Sequence, residues 1–291
     1  MKIAVLGPIA KDFTTVDGKL SIHIGGIPYY VAVALKNLGV NYVVAYVTAS
    51  KEDKKWLTKN FEGVKVKHLP AGKTLESHME YSTSNPDERK QVIKCYPNTI
   101  ELTISLIKEL NAFDYIILGP LFHDNIPLEL FSKLKDKNLI HGNFGMFTYG
   151  EKGKFIKKHP ENLVKVLPFL KYLFLDKNEA EFVSGKKGIK ASAKFFQEHG
   201  LINMIITEGS KGSHLFIGKK YYKIPAFPSK RLIDPTGAGD TYLAAFVRAT
   251  ELFNDPKEQG KFAAMVATMS LEKKGAFNSK KEEVIKRLTK E

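Results

Sequence analysis

The chain has 291 residues, a length that suits one large α/β unit, and 43% of them are hydrophobic, enough to fill a core. Its net charge of +14 comes almost wholly from lysine, because the only arginines are Arg89, Arg231, Arg248 and Arg287. The lysines sit in short scattered groups such as Lys157-Lys158, Lys186-Lys187 and Lys219-Lys220, a pattern of solvated faces that argues against nucleic-acid binding, since bidentate phosphate and base recognition favours arginine.

Residues 3–6 read as a first buried strand, and the N-terminus lacks the pattern of a secretory leader. Residues 13–24 carry a turn at Asp17-Gly18 flanked by alternating residues, which is a hairpin signal. Gly25 and Gly26 then open a helical run at 29–38, followed by a strand at 42–47. Residues 73–96 alternate again around Asn85-Pro86-Asp87 and, with 13–24, read as a small separate β-layer. Beyond them, strands are expected at 115–118, 139–143, 172–175 and 204–207. Helices are expected at 128–134, 191–199, 239–252 and 262–271. No apolar run approaches the roughly 18 residues of a membrane span. The lone Cys95 rules out an internal disulfide and favours a reducing cytoplasm. Strand–helix alternation predicts an α/β fold: a mostly parallel sheet with helices on both faces, and ligands beyond the carboxyl ends of its strands.

The most informative stretch is Asp234-Pro235-Thr236-Gly237-Ala238-Gly239-Asp240. It links an apolar run to a helical one. The proline stops the preceding element, and two glycines around an alanine allow a tight turn with close backbone approach. The free N–H groups and positive end of the new helix make an anion site. Asp240, just inside it, is placed to take a proton from a hydroxyl attacking a bound phosphate. The alternative is an ordinary glycine-rich helix start.

This string resembles the C-terminal signature of the ribokinase-like (PfkB) family of small-molecule kinases. The resemblance implies an anion hole at Gly237, Ala238 and Gly239 and a catalytic base at Asp240. It also implies ATP as donor with Mg2+, a hydroxyl-bearing small molecule as acceptor, and a monovalent-cation site near Asp234 and Thr236 in some members. Further segments extend it over nearly the whole chain. Gly25-Gly26, with the helix ending in Leu38-Gly39, resembles the N-terminal signature, but Tyr30 stands where that family usually has an asparagine. Asp12 matches an early aspartate that binds substrate hydroxyls. Asn178 and Glu181 match an Asn-x-x-Glu element that organises magnesium and phosphate through water, although the same spacing also describes a capping box. Thr207, Gly209 and Gly212 match a nucleotide-binding turn. Asn143 offers a donor and an acceptor to hydroxyls, and Tyr30, Phe147 and Tyr81 offer apolar or ring-stacking surface.

The expectation is therefore one ribokinase-like kinase domain over residues 1–291. Its β-lid would come from insertions at about 12–24 and 73–96, with a homodimer through that lid in some relatives. The acceptor would be a neutral polyhydroxylated molecule such as a sugar, a cyclic polyol such as inositol, or a nucleoside, with no nucleic-acid or membrane partner and a cytoplasmic location. A non-catalytic nucleotide-binding protein of the same fold and a basic nucleic-acid binder are the alternatives.

Overall fold

In a computed structural model, residues 1–291 are described except 62, 83–84, 97–98, 143 and 161; for residues 16, 81–82, 85–91 and 144 only the backbone is described. Nine strands form the central sheet in the order Lys220–Ile224, Ser213–Ile217, Asn203–Thr207, Leu170–Asp176, Asn138–Gly142, Tyr115–Leu118, Lys2–Pro8, Tyr42–Ala49 and Lys65–Pro70. The ladder is parallel from Asn203–Thr207 to the last strand, and the first two strands pair antiparallel.

The central strands are apolar on both faces because both faces are covered. Successive side chains of Lys2–Pro8 show why. Ile3 and Val5 join a core with the helices Ile27–Asn37, Ala238–Leu252 and Pro256–Ser270. Ala4 and Leu6 join a second core with Ile104–Leu110, Leu128–Lys133, Lys177–Ser184 and Ile189–Glu198. Alternation along a strand thus divides one run of apolar residues between two layers.

The separate β-layer is a four-stranded sheet in the order Lys19–Gly25, Ala10–Val16, Leu75–Ser82 and Asn85–Cys95. Ala10–Val16 runs parallel to Leu75–Ser82, and the two outer pairings are antiparallel. Asp17 and Gly18 both have positive φ, 47° and 78°. A type I′ two-residue hairpin turn requires this at both positions.

Three features differ from the sequence expectation. The edge strand Lys65–Pro70 carries Lys65, Lys67 and His68 among its apolar residues and is only partly buried. The antiparallel pair Ser213–Ile217 and Lys220–Ile224 is short and closes the opposite edge. A small hairpin, Thr148–Glu151 with Lys154–Lys157, follows Phe147. Edge positions carry weak hydrophobic pattern because one side of each strand is not enclosed.

Candidate active site

The 234–240 segment folds as a tight turn into the helix Ala238–Leu252. One carboxylate oxygen of Asp234 accepts the Thr236 N–H at 3.0 Å and the other the Gly275 N–H at 3.4 Å. The Ala238 N–H donates to the Pro235 carbonyl at 3.2 Å. Gly237 occupies the N-cap position with φ 73° and ψ 9°, and no side chain caps the helix. A Cβ at Gly237 would come 2.3 Å from the Tyr30 ring, so glycine is required by contact as well as by φ. First-turn N–H groups have no acceptor within a helix. Here the Ala238 N–H is taken by Pro235, and the rest of the first turn, with the positive helix end, lines a cavity of about 440 Å³. Asp240 lies in this first turn and lines the cavity, and burial pushes its carboxyl up to about 6.

On another wall, Gly26 starts the helix Ile27–Asn37 with φ 103°, where a Cβ would meet the Pro8 carbonyl at 2.7 Å. The Asp12 carboxylate lies against Gly25: a Cβ there would be 2.2 Å from Asp12 Oδ2. Burial pushes Asp12 to about 6 as well. Tyr30 is buried beneath both groups. Its phenol is held far above the ordinary range, first by burial and then by the charges of Asp12, Asp234 and Asp240. It is therefore a neutral hydroxyl among carboxylates, able to donate to one of them or to a ligand oxygen.

The third wall comes from the ends of the strands Leu170–Asp176 and Asn203–Thr207. Asp176 is the N-cap of the helix Lys177–Ser184. It accepts the Glu179 N–H at 2.7 Å, and Glu179 Oε2 accepts the Asp176 N–H at 2.8 Å, a complete capping box. Both residues line the cavity. Burial, then the charge of Asp176, raises Glu179 to about 7. The cavity's described lining holds four acids (Asp12, Asp176, Glu179 and Asp240) and no lysine, arginine or histidine, in a chain of net charge +14.

One cavity thus gathers Asp12, Gly25, Gly26, Tyr30, Thr207, Thr236, Gly237, Ala238, Gly239 and Asp240. Asn178 and Glu181, expected to organise magnesium and phosphate, do not line the cavity: Asn178 is exposed, and Glu181 Oε1 accepts the Gly188 N–H at 2.9 Å. The helix begins earlier than expected, so the capping box and the inward acid fall on Asp176 and Glu179. Their signal was the position of Asp176 at the carboxyl end of a strand. Gly209 and Gly212 do not line the cavity. Gly212 is fixed by packing, since a Cβ would fall 2.0 Å from the Ile224 carbonyl. Asp234 shapes the turn from behind rather than lining the cavity. Phe147 ends the short helical turn Phe144–Phe147 and is fully buried in the second core, where it meets Phe182. Asn143 and the Tyr81 side chain lie outside the described residues. Sequence reasoning missed the apolar floor, including Ile27, Phe174 and Leu243, which is indistinguishable from core in one dimension.

The pfkB family carbohydrate kinase model matches residues 8–283. The nucleoside kinase of Methanocaldococcus jannaschii is 33% identical over 115 residues, 40% of this chain and 37% of that protein. The segments shared with this and three other curated kinases span 21% to 42% of those proteins' lengths. Among solved structures, a pyrophosphate-dependent kinase of the ribokinase family, complexed with a pyrophosphate analog and myo-inositol, superposes with a TM-score of 0.81 at 25% identity, covering 98% of this chain and 99% of the other. Arabidopsis thaliana ribokinase with ribose and ATP superposes with a TM-score of 0.79 at 19% identity, covering 99% and 98%.

Proposed function

The chain belongs to the pfkB family of carbohydrate kinases, and from that premise we propose that it transfers the γ-phosphate of ATP to a hydroxyl of a small neutral polyhydroxylated molecule: a sugar, a cyclic polyol or a nucleoside. The observation that carries the reading is the convergence of Asp12, Asp240 and the uncapped helix start on one cavity. Phosphoryl transfer needs chiefly positioning and stabilisation of charge. The turn at Gly237, Ala238 and Gly239 holds the transferring phosphate through the N–H groups not already given to the Pro235 carbonyl. Asp240 orients the acceptor hydroxyl and takes its proton. Asp12 accepts from neighbouring hydroxyls, and Tyr30 supplies a neutral donor and a flat ring edge. With four acids and no described base in the lining, an anionic acceptor would meet uncompensated repulsion. Hence the acceptor is neutral.

The same charge balance bears on magnesium. Among the described residues no cluster of three or more His, Cys, Asp or Glu could cage a metal. Asp176 and Glu179 each commit one oxygen to the capping box, leaving the other free. That set fits Mg2+, which keeps most of its waters and arrives with phosphate. Asp176 and Glu179 would hold it through water, and it would neutralise charge between the donor phosphates. Asp234 and Thr236 would hold a monovalent cation behind the anion hole. The four-stranded layer would act as the lid, residues 1–291 forming one kinase domain in the cytoplasm. Exposed Leu20, Ile22 and Val92 on that layer offer a face for a homodimer.

An acceptor screen tests the reading: hexoses, pentoses, polyols, inositols and nucleosides, each with Mg2+ and either ATP or pyrophosphate. Turnover of a neutral polyol or nucleoside with ATP is expected. A carboxylated or phosphorylated sugar as best acceptor, by kcat/KM, would overturn the account of the pocket. No turnover with any pair would return the chain to a nucleotide-binding role.

A further inference from the structure

Both crossings from the main sheet into the four-stranded layer pass one carboxylate. Asp53 lies after the strand Tyr42–Ala49, at the N-cap of the helix Lys54–Asn60, with its side chain 14% exposed. One oxygen pairs with the Lys11 ammonium. The other accepts from the Thr74 hydroxyl at 2.5 Å and from the Ser50 hydroxyl at 3.0 Å. The Thr74 oxygen itself accepts the Ser50 N–H at 2.9 Å. Burial pushes the Asp53 carboxyl up, but hydrogen bonds from Lys11, Thr74 and Ser50 outweigh it and hold the group below its ordinary range, so it is ionised.

The placement gives this cluster its role. Lys11 is the second residue of Ala10–Val16, and Thr74 immediately precedes Leu75–Ser82. These are the two strands joined in parallel at the base of the layer, with Ala10 opposite Leu75. Asp53 therefore grips both strands where they leave the main body and, through Ser50, ties them to the end of Tyr42–Ala49, the strand next to the sheet edge. Neighbouring residues of a strand point to opposite faces. Lys11 turns to Asp53, and Asp12 turns to the cavity. A shift at Lys11 must move Asp12. The Lys11 ammonium also lies 5.5 Å from the ring centre of Trp56, the only tryptophan in the chain.

We propose that Asp53 is a positioning residue for the acceptor: through Lys11, Thr74 and Ser50 it anchors the base of the four-stranded layer and sets the place of the Asp12 carboxylate, and Trp56 emission reports the anchor. The acceptor part rests on the kinase reading above. The test uses the full chain with Asp53→Asn, which keeps an acceptor for Thr74 but loses the charge, and Lys11→Met, which keeps the aliphatic stem. Lys11→Arg is the conservative control.

Amide hydrogen exchange needs no acceptor. Exchange should quicken in residues 10–16 and 75–82 of the first two variants and stay unchanged in the strands Tyr115–Leu118 and Leu170–Asp176. Trp56 emission should change in the same two variants. With the acceptor found by the screen, its KM should rise roughly 10- to 100-fold, while kcat and the KM for ATP stay within about twofold, and Lys11→Arg should recover most of the loss. Unaltered exchange overturns the anchor. Equal rises in both KM values, or a fall in kcat alone, overturn the positioning role. If the unmodified chain turns over no acceptor, the kinase reading fails, and the exchange data still decide whether Asp53 anchors the layer.

Discussion

Two helices start on the same cavity and treat their free N–H groups in opposite ways. At Lys177–Ser184 the chain satisfies its own first turn: Asp176 and Glu179 close a capping box and present their remaining oxygens as negative charge. At Ala238–Leu252 no side chain caps the turn; the Ala238 N–H is given to the Pro235 carbonyl, and a left-handed glycine turns the chain so that the rest of the start lines the cavity. A capped start is self-sufficient and repels anions. An uncapped one gives up a stabilising contact of about 1 kcal/mol and keeps its donors for a ligand. Placed side by side, they make a cavity with one anion-seeking wall and one cation-seeking wall. Such polarity suits a phosphate that carries its own metal.

The sharpest way to break this comparison is Asp240→Asn. Turnover should fall by ~10²–10⁴ with donor binding retained, read by steady-state kinetics and by calorimetric titration. A rate near that of the unmodified chain would remove Asp240 from the chemistry. The pH profile should agree. With the carboxyl raised by burial to about 6, kcat should fall as pH drops through that value. The stability sign is opposite. The folded chain holds a proton that the unfolded chain releases near its ordinary pKa, so this group's contribution is full below about 4 and is lost as pH rises through about 6. Asp240→Asn should therefore melt at or above the unmodified protein at pH 7.

A smaller effect is expected from Gly237→Ala. The added Cβ meets the Tyr30 ring and must adopt a left-handed φ, at a cost of roughly 1–2 kcal/mol. The turn should shift, lowering kcat by up to ~100-fold. Tyr30→Leu in the same chain should restore part of the rate by relieving the contact. An unchanged rate in Gly237→Ala would show that the open helix start does not hold the phosphate.

The mildest test concerns the capped start. Glu179→Gln should raise the Mg2+ concentration needed for half-maximal rate, and Asp176→Ala should also lose roughly 0.5–2 kcal/mol of stability with the cap. Asn178→Ala should leave the magnesium titration in place, and Glu181→Ala should loosen only the link to Gly188. A magnesium shift confined to Asn178 and Glu181 would reverse this assignment.

Much of this was legible in one dimension. The 234–240 string could serve little besides a helix start facing an anion, because proline, two glycines and an acid each constrain the same few dihedral angles. The strand at 115–118 and the helix at 239–252 were readable because uninterrupted apolar runs or 3.6-residue periodicity survive burial on both faces. The Asp17-Gly18 turn was readable because Asp-Gly is a pair that tolerates the positive φ a type I′ hairpin turn needs at both positions.

What the sequence left open were choices of register and of direction. Asn178 with Glu181 and Asp176 with Glu179 present the same acid three residues after a capping residue. Only the packing of Ala180 and Val183 into the core fixes which face of the helix turns to the cavity. Phe147 carries nothing in its local sequence to say that it is buried, and Asp53 nothing to say that two distant strands meet it. Composition and local backbone geometry determined the fold class and the uncapped helix start at Gly237, because both arise within a few residues. Long-range packing decided which acids share a cavity and what holds them in place, because those contacts join residues tens of positions apart and no local preference encodes them.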